Sequence, residues 1–149
     1  DPEILVHICS DIVLDGKHYK GLESARLLIE AQKSGIRKMA ALGAVVKINT
    51  VLIPNINDDH ISEIARTAAE LGAAIINIIP LIPQYELAHI KAPGCAELNE
   101  ARQAAEEFLP VFRHCRHCRA DACGIPGRGD LSDLLYGGRQ RVQETFSHG

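Results

Sequence analysis

The feature that most limits how this chain can fold is an internal echo. LGAVVKINTVLIP (42–54) and LGAAIINIIPLIP (71–83) share Leu, Gly, Ala, Leu, Ile and Pro at equivalent places, 29 residues apart. That spacing is the length of one βα unit. Two such units in succession require parallel strands joined by a right-handed crossover. Between them, Ile61, Ile64, Ala65, Ala68 and Leu71 recur at helical spacing. Asn57 or Asp58 is the expected cap of that helix and Gly72 its stop. The chain is therefore expected to be α/β, with strands near 44–54 and 73–82.

The first strand is not uniform. Val46, Ile48 and Leu52 share one parity, whereas Lys47 and Asn49 share the other with Val45 and Val51. A parallel strand covered on both sides is apolar throughout. Polar residues on one side therefore predict that this side meets a site. Two strands cannot close a barrel. The units read as the later part of a β/α barrel or of an open, doubly wound sheet, completed by residues outside this chain. The opening residues, Asp1-Pro2-Glu3, likewise read as the interior of a longer protein.

The flanks carry weaker signals. Pro2 suits a first helical position after an Asp1 cap. Leu5, Ile8, Cys9 and Ile12 then continue a helical stripe, which makes Cys9 a buried small hydrophobe. Asp15-Gly16 between short β-like runs predicts a hairpin. Residues 21–42 predict a long helix whose apolar face holds Ala25, Leu28, Ile29, Ile36, Met39 and Ala40, ended by Gly43. The connection 83–94 lies where α/β proteins build sites, so Glu86 and His89 are candidates to line one. A last helix places Leu98, Ala101, Ala105, Phe108 and Phe112 on one side, with Cys95 near its start.

Composition excludes several classes. The chain has 149 residues, 46% of them hydrophobic, which suffices for one domain with a core. A net charge of −3 argues against a nucleic-acid surface or a basic membrane patch. No apolar run approaches the roughly 18 residues of a membrane span. No secretory leader opens the chain. A cytoplasmic protein is expected.

Five cysteines, at 9, 95, 115, 118 and 123, are an odd number for a disulfide framework. Three fall in FRHCRHCRADACG (112–124). Cys115 and Cys118, in a CxxC, bring two thiolates within reach of one metal or one iron–sulfur cluster. Cys123, His114 and His117 are candidate further ligands. Arg113, Arg116 and Arg119 would lower thiol pKa and offset the charge of an anionic cluster. A closed zinc site or a cubane cluster wants four ligands, and no second CxxC is present. A redox dithiol fits less well, because this CxxC follows a helix instead of opening one. Free thiols are the remaining reading.

VKINTVLIPNIND, NIIPLIP and FRHCRHCRADACG, in that order, closely resemble the later half of the radical SAM enzymes that assemble the nitrogenase cofactor. The resemblance runs over nearly the whole chain, and HCxxCRADA is its most specific element. It implies the later βα units of a partial (β/α) radical SAM barrel over 1–112, a Cys-containing cluster-binding segment over 113–124, and a tail or linker over 125–149. It implies binding of S-adenosylmethionine and [4Fe–4S] clusters, and fusion of two such clusters around a carbon taken from S-adenosylmethionine. Cys115 and Cys118 would hold a substrate cluster, with Cys123 as a further candidate. Asn49 would meet S-adenosylmethionine. The implied partners are the N-terminal half of the same protein, iron–sulfur donors and cofactor carriers, with no nucleic acid and no membrane.

Two departures stand out. The family's CxxxCxxC, which binds the radical-generating cluster, is absent from these residues, so this chain alone is expected to be inactive. Where the family pattern has Pro-Gly-Ile-Asn-Asp, this chain has Pro54-Asn55-Ile56-Asn57-Asp58. Asn tolerates a left-handed turn, so the loop is expected to survive. The competing reading is a non-catalytic zinc or iron–sulfur module, or a different radical SAM maturase.

Overall fold

The structure is a computed structural model, and it describes residues 1–9 and 11–113. The first elements form a small layer of their own. Pro2–Leu5 (α1) begins where expected, with the Asp1 carboxylate accepting the Glu3 N–H at 2.7 Å. It is shorter than the apolar stripe suggested, because Ile12 belongs to a strand. Asp11–Leu14 (β1) and Lys17–Lys20 (β2) pair antiparallel across Asp15 and Gly16. Both turn residues have positive φ, 50° and 76°, as a two-residue hairpin with right-handed strand twist demands. Cys9 is half-buried, its thiol 3.7 Å from the Asp11 carbonyl, and is not a core residue.

Gly21–Ala41 (α2) is the long helix, and it packs against α1 and the hairpin. Its expected apolar face is only partly used. Ala25 is fully buried and Ile36 reaches the main core, but Met39 is exposed. Gly43 ends the helix in the left-handed region at φ 78°.

The two echoed segments form the centre. Lys47–Leu52 (β3) and Ile75–Pro80 (β4) are parallel neighbours. They are joined by a turn of 3₁₀ helix, Asp58–His60, and by Ile61–Glu70 (α3). Asn57 does not cap this helix with its side chain. Its carboxamide turns back instead, accepting the Ile53 N–H and donating to the Val51 carbonyl, both at 2.8 Å. Asn55 takes φ 61° as expected, and the Asp58 carboxylate accepts its N–H at 3.1 Å.

Register departs from the sequence echo by one residue. Lys47 faces Ile75 and Asn49 faces Asn77 across the ladder, an offset of 28 where the echo has 29. The cause is local: β4 starts three residues after Gly72, whereas β3 starts four after Gly43. A shift of one residue exchanges the two faces of a strand. Lys47 is therefore exposed, while its echo partner Ile76 is completely buried.

Cys95–Glu106 (α4) follows a turn of 3₁₀ helix at Tyr85–Leu87. Glu97 reaches back to accept the Gly94 N–H at 2.6 Å, fixing the helix start. The helix ends before Phe108, so the exposed Phe108 yields its expected core place to Leu109. The chain then joins the sheet. Val111 bridges Ile76 in parallel, with Ile76 N–H donating to the Pro110 carbonyl and Phe112 N–H to the Ile76 carbonyl.

The core lies between one sheet face and the helices. Leu52, Ile76 and Ile78 meet Ile61, Ala65 and Ala68 of α3, Ala101 and Ala105 of α4, and Leu109. Alanines on both helices let them approach the sheet closely, and large aliphatics on the strands fill the gap. Among the described residues no helix is long and apolar enough to cross a membrane.

Candidate functional site

Helices α3 and α4 clothe the sheet face formed by Ile48 and Leu52 of β3, with Val46 just before it, and by Ile76 and Ile78 of β4. The opposite face carries Lys47, Asn49 and Val51 from β3, all exposed, and Ile75, Asn77 and Ile79 from β4. The parity read from the sequence is thus realised, with the polar side turned away from the helices. Val45, just before β3, is 83% exposed.

Asn49 and Asn77 face one another in the ladder, and the Asn77 Nδ2 donates to the Asn49 Oδ1 at 3.1 Å. Asn77 is 2% exposed. Its Oδ1 is buried and has no hydrogen-bond partner among the described residues. A buried amide oxygen left unpaired costs about 1–3 kcal/mol. Lys47 lies two residues before Asn49 on the same face, its Nζ 4.6 Å from the centre of the Phe112 ring. That distance is within cation–π range. Phe112 in turn is tied to β4 through its N–H.

At the carboxyl end of β3, the Asn57 clamp and the left-handed Asn55 shape the loop 53–60. At the carboxyl end of β4, Glu86 and His89 are exposed on the long connection and, among the described residues, form no group of three candidate ligands. Cys9 and Cys95 are free thiols, one half-buried and one exposed at the start of α4. No group of three or more His, Cys, Asp or Glu side chains gathers as a metal site among the described residues. Cys115, Cys118, Cys123, His114 and His117 lie outside the described residues, as do Arg116 and Arg119.

Sequence reasoning singled out Asn49 and missed Asn77. The signal was present: IINIIP is a run of aliphatics broken by one amide. The echo hid it, because an offset of 29 sets Ile48 against Asn77, leaving Asn49 against Ile78.

What fold and face together define is a parallel α/β segment, clothed by helices on one side and polar on the other, followed directly by an HCxxC motif. Three relatives share most of its length, each named FeMo cofactor biosynthesis protein NifB. That of Methanocaldococcus jannaschii is 46% identical over 146 residues, covering 98% of this chain and 48% of the relative. That of Methanocaldococcus infernus is 49% identical over 124 residues, covering 83% of this chain and 41% of the relative. That of Azotobacter vinelandii is 36% identical over 138 residues, covering 87% and 27%. The chain belongs to the NifB family. It spans less than half the length of these relatives. No family model matches it.

Proposed function

We propose that the protein to which these residues belong takes part in FeMo cofactor biosynthesis as a radical SAM maturase. It fuses two [4Fe–4S] clusters around a carbon from S-adenosylmethionine to give the cofactor precursor. The observation that carries this reading is the similarity to NifB over 98% of the chain, joined to an HCxxC whose thiolates suit an iron–sulfur guest. The described residues form later βα units of a partial barrel, and the face bearing Lys47, Asn49 and Asn77 is its lumen. The N-terminal half of the same protein completes that barrel and brings the CxxxCxxC missing here. Without it the present residues do not act alone. Iron–sulfur donors and cofactor carriers are the protein partners, and the setting is cytoplasmic.

Each part has a role its chemistry allows. Cys115 and Cys118 hold one substrate cluster, and Cys123 is a candidate third ligand. Asn49 presents a carboxamide to S-adenosylmethionine, which supplies the inserted carbon when bound. The amide set on this face fits such a polar ligand, since Asn49 is exposed and its neighbour Asn77 keeps an unpaired acceptor. The protein's own contribution is to position its guests and exclude water.

The test uses the full-length protein prepared without air. Reconstitution with iron and sulfide should give brown, broadly absorbing protein. Cys115→Ala or Cys118→Ala should lower bound iron and abolish precursor formation, yet leave S-adenosylmethionine cleavage intact. Colourless protein holding one tight zinc per chain would replace this reading with a non-catalytic zinc module. Normal product from either variant would refute the ligand assignment.

A further inference from the structure

Asn77 is the residue that packing does not explain. Its neighbours along β4 are all apolar, and an aliphatic side chain there would need no hydrogen bond. An amide must be desolvated, and this one leaves its Oδ1 unpaired among the described residues. Among the described residues, its side chain donates to Asn49.

That bond has a consequence for Asn49. A primary amide carries its acceptor oxygen and its donor nitrogen on opposite sides of one carbon. The bond from the Asn77 Nδ2 holds the Asn49 Oδ1 toward β4. The group turned away from that bond is the Asn49 Nδ2, a donor. Lys47, exposed on the same face of the same strand, adds a cationic donor. Two donors of which one is charged select an acceptor bearing negative charge, and a carboxylate fits both.

We propose that Asn77 is a positioning residue: through its hydrogen bond it fixes Asn49 as a donor toward a carboxylate on the ligand, the amino-acid end of S-adenosylmethionine. This rests on the reading that the face meets that molecule. It adds which end of the molecule lies against β3, and why an amide persists in an aliphatic strand.

The experiment compares two probes on full-length, cluster-loaded protein by equilibrium dialysis. S-adenosylhomocysteine carries the carboxylate, and 5′-methylthioadenosine lacks it. Asn77→Ile should bind S-adenosylhomocysteine about tenfold more weakly, the loss of one hydrogen bond to a charged group. It should bind methylthioadenosine as the parent does, with Tm unchanged or higher. Asn49→Asp keeps an acceptor for Asn77 but turns a second oxygen outward. It should lose S-adenosylhomocysteine and retain methylthioadenosine. Unchanged S-adenosylhomocysteine binding by Asn77→Ile would overturn the proposal, as would equal loss of both probes or a lowered Tm. A parent protein that binds neither probe would overturn the underlying reading of the face, and that result is distinct from the others.

Discussion

Asn57 holds the end of β3 through Ile53: its Oδ1 accepts the Ile53 N–H at 2.8 Å while its Nδ2 donates to the Val51 carbonyl. A buried side chain thus takes over for backbone partners just where the ladder stops. Asn57→Leu leaves a donor and an acceptor unpaired in a site that is 5% exposed. The expected loss is about 2–4 kcal/mol, read as a lower urea midpoint with an unchanged slope. Asn57→Asp keeps the acceptor but loses the donor and sets a charge against a carbonyl, so it too should destabilise.

The two glycines of the echo should respond differently to the same substitution. Gly43 and Gly72 both have positive φ, 78° and 94°. A Cβ on Gly43 meets nothing within 4 Å, whereas one on Gly72 would lie 2.7 Å from the Ala40 Cβ. Gly43→Ala should cost about 1–2 kcal/mol for the left-handed backbone alone. Gly72→Ala should cost more, because two packed helix ends must also separate. Equal losses in thermal unfolding would contradict the close approach.

Asn55 stands in the left-handed region at φ 61°. Asn55→Gly should be neutral or slightly stabilising. Asn55→Val should cost about 1–2 kcal/mol, since a β-branched side chain is poorly tolerated there. Denaturation of both variants checks this, and a neutral valine would be inconsistent with the turn.

Arg66 on α3 pairs with Glu63 at 2.6 Å and with Glu70 at 2.8 Å. The Arg66 hydrogen bond holds the Glu63 carboxyl below its ordinary value of 4.5. Folding therefore favours the ionised form. Its contribution is present above the unfolded value and is lost as pH falls through the folded one. Arg66→Ala should flatten stability against pH below 4.5. Because the pair is exposed, the difference should be small and shrink with added salt.

Much of this architecture is legible in the residues alone. The βα spacing, the hairpin at Asp15-Gly16, the left-handed Asn55 and the split parity of β3 each follow from local chemistry that tertiary packing does not override. Other features depend on contacts between distant parts. The apolar stripe at Leu5, Ile8, Cys9 and Ile12 matches a helix, yet Ile12 pairs with Tyr19 in the hairpin. Val111 carries no strand signal of its own and is recruited by Ile76. The pairing of Asn49 with Asn77 was hidden because identity and register disagree by one residue. Asn57 looked like a cap because caps and loop clamps use the same amide chemistry.

The sheet with one face under its helices and another bearing the paired amides places its residues under two unlike kinds of selection. Substitutions beneath α3 and α4 change how much folded protein accumulates in a cell, and activity follows that amount. Substitutions at Asn49 and Asn77 should separate the two. A screen scored on abundance would accept an aliphatic replacement at Asn77, and on the function proposed above one scored on product would discard it.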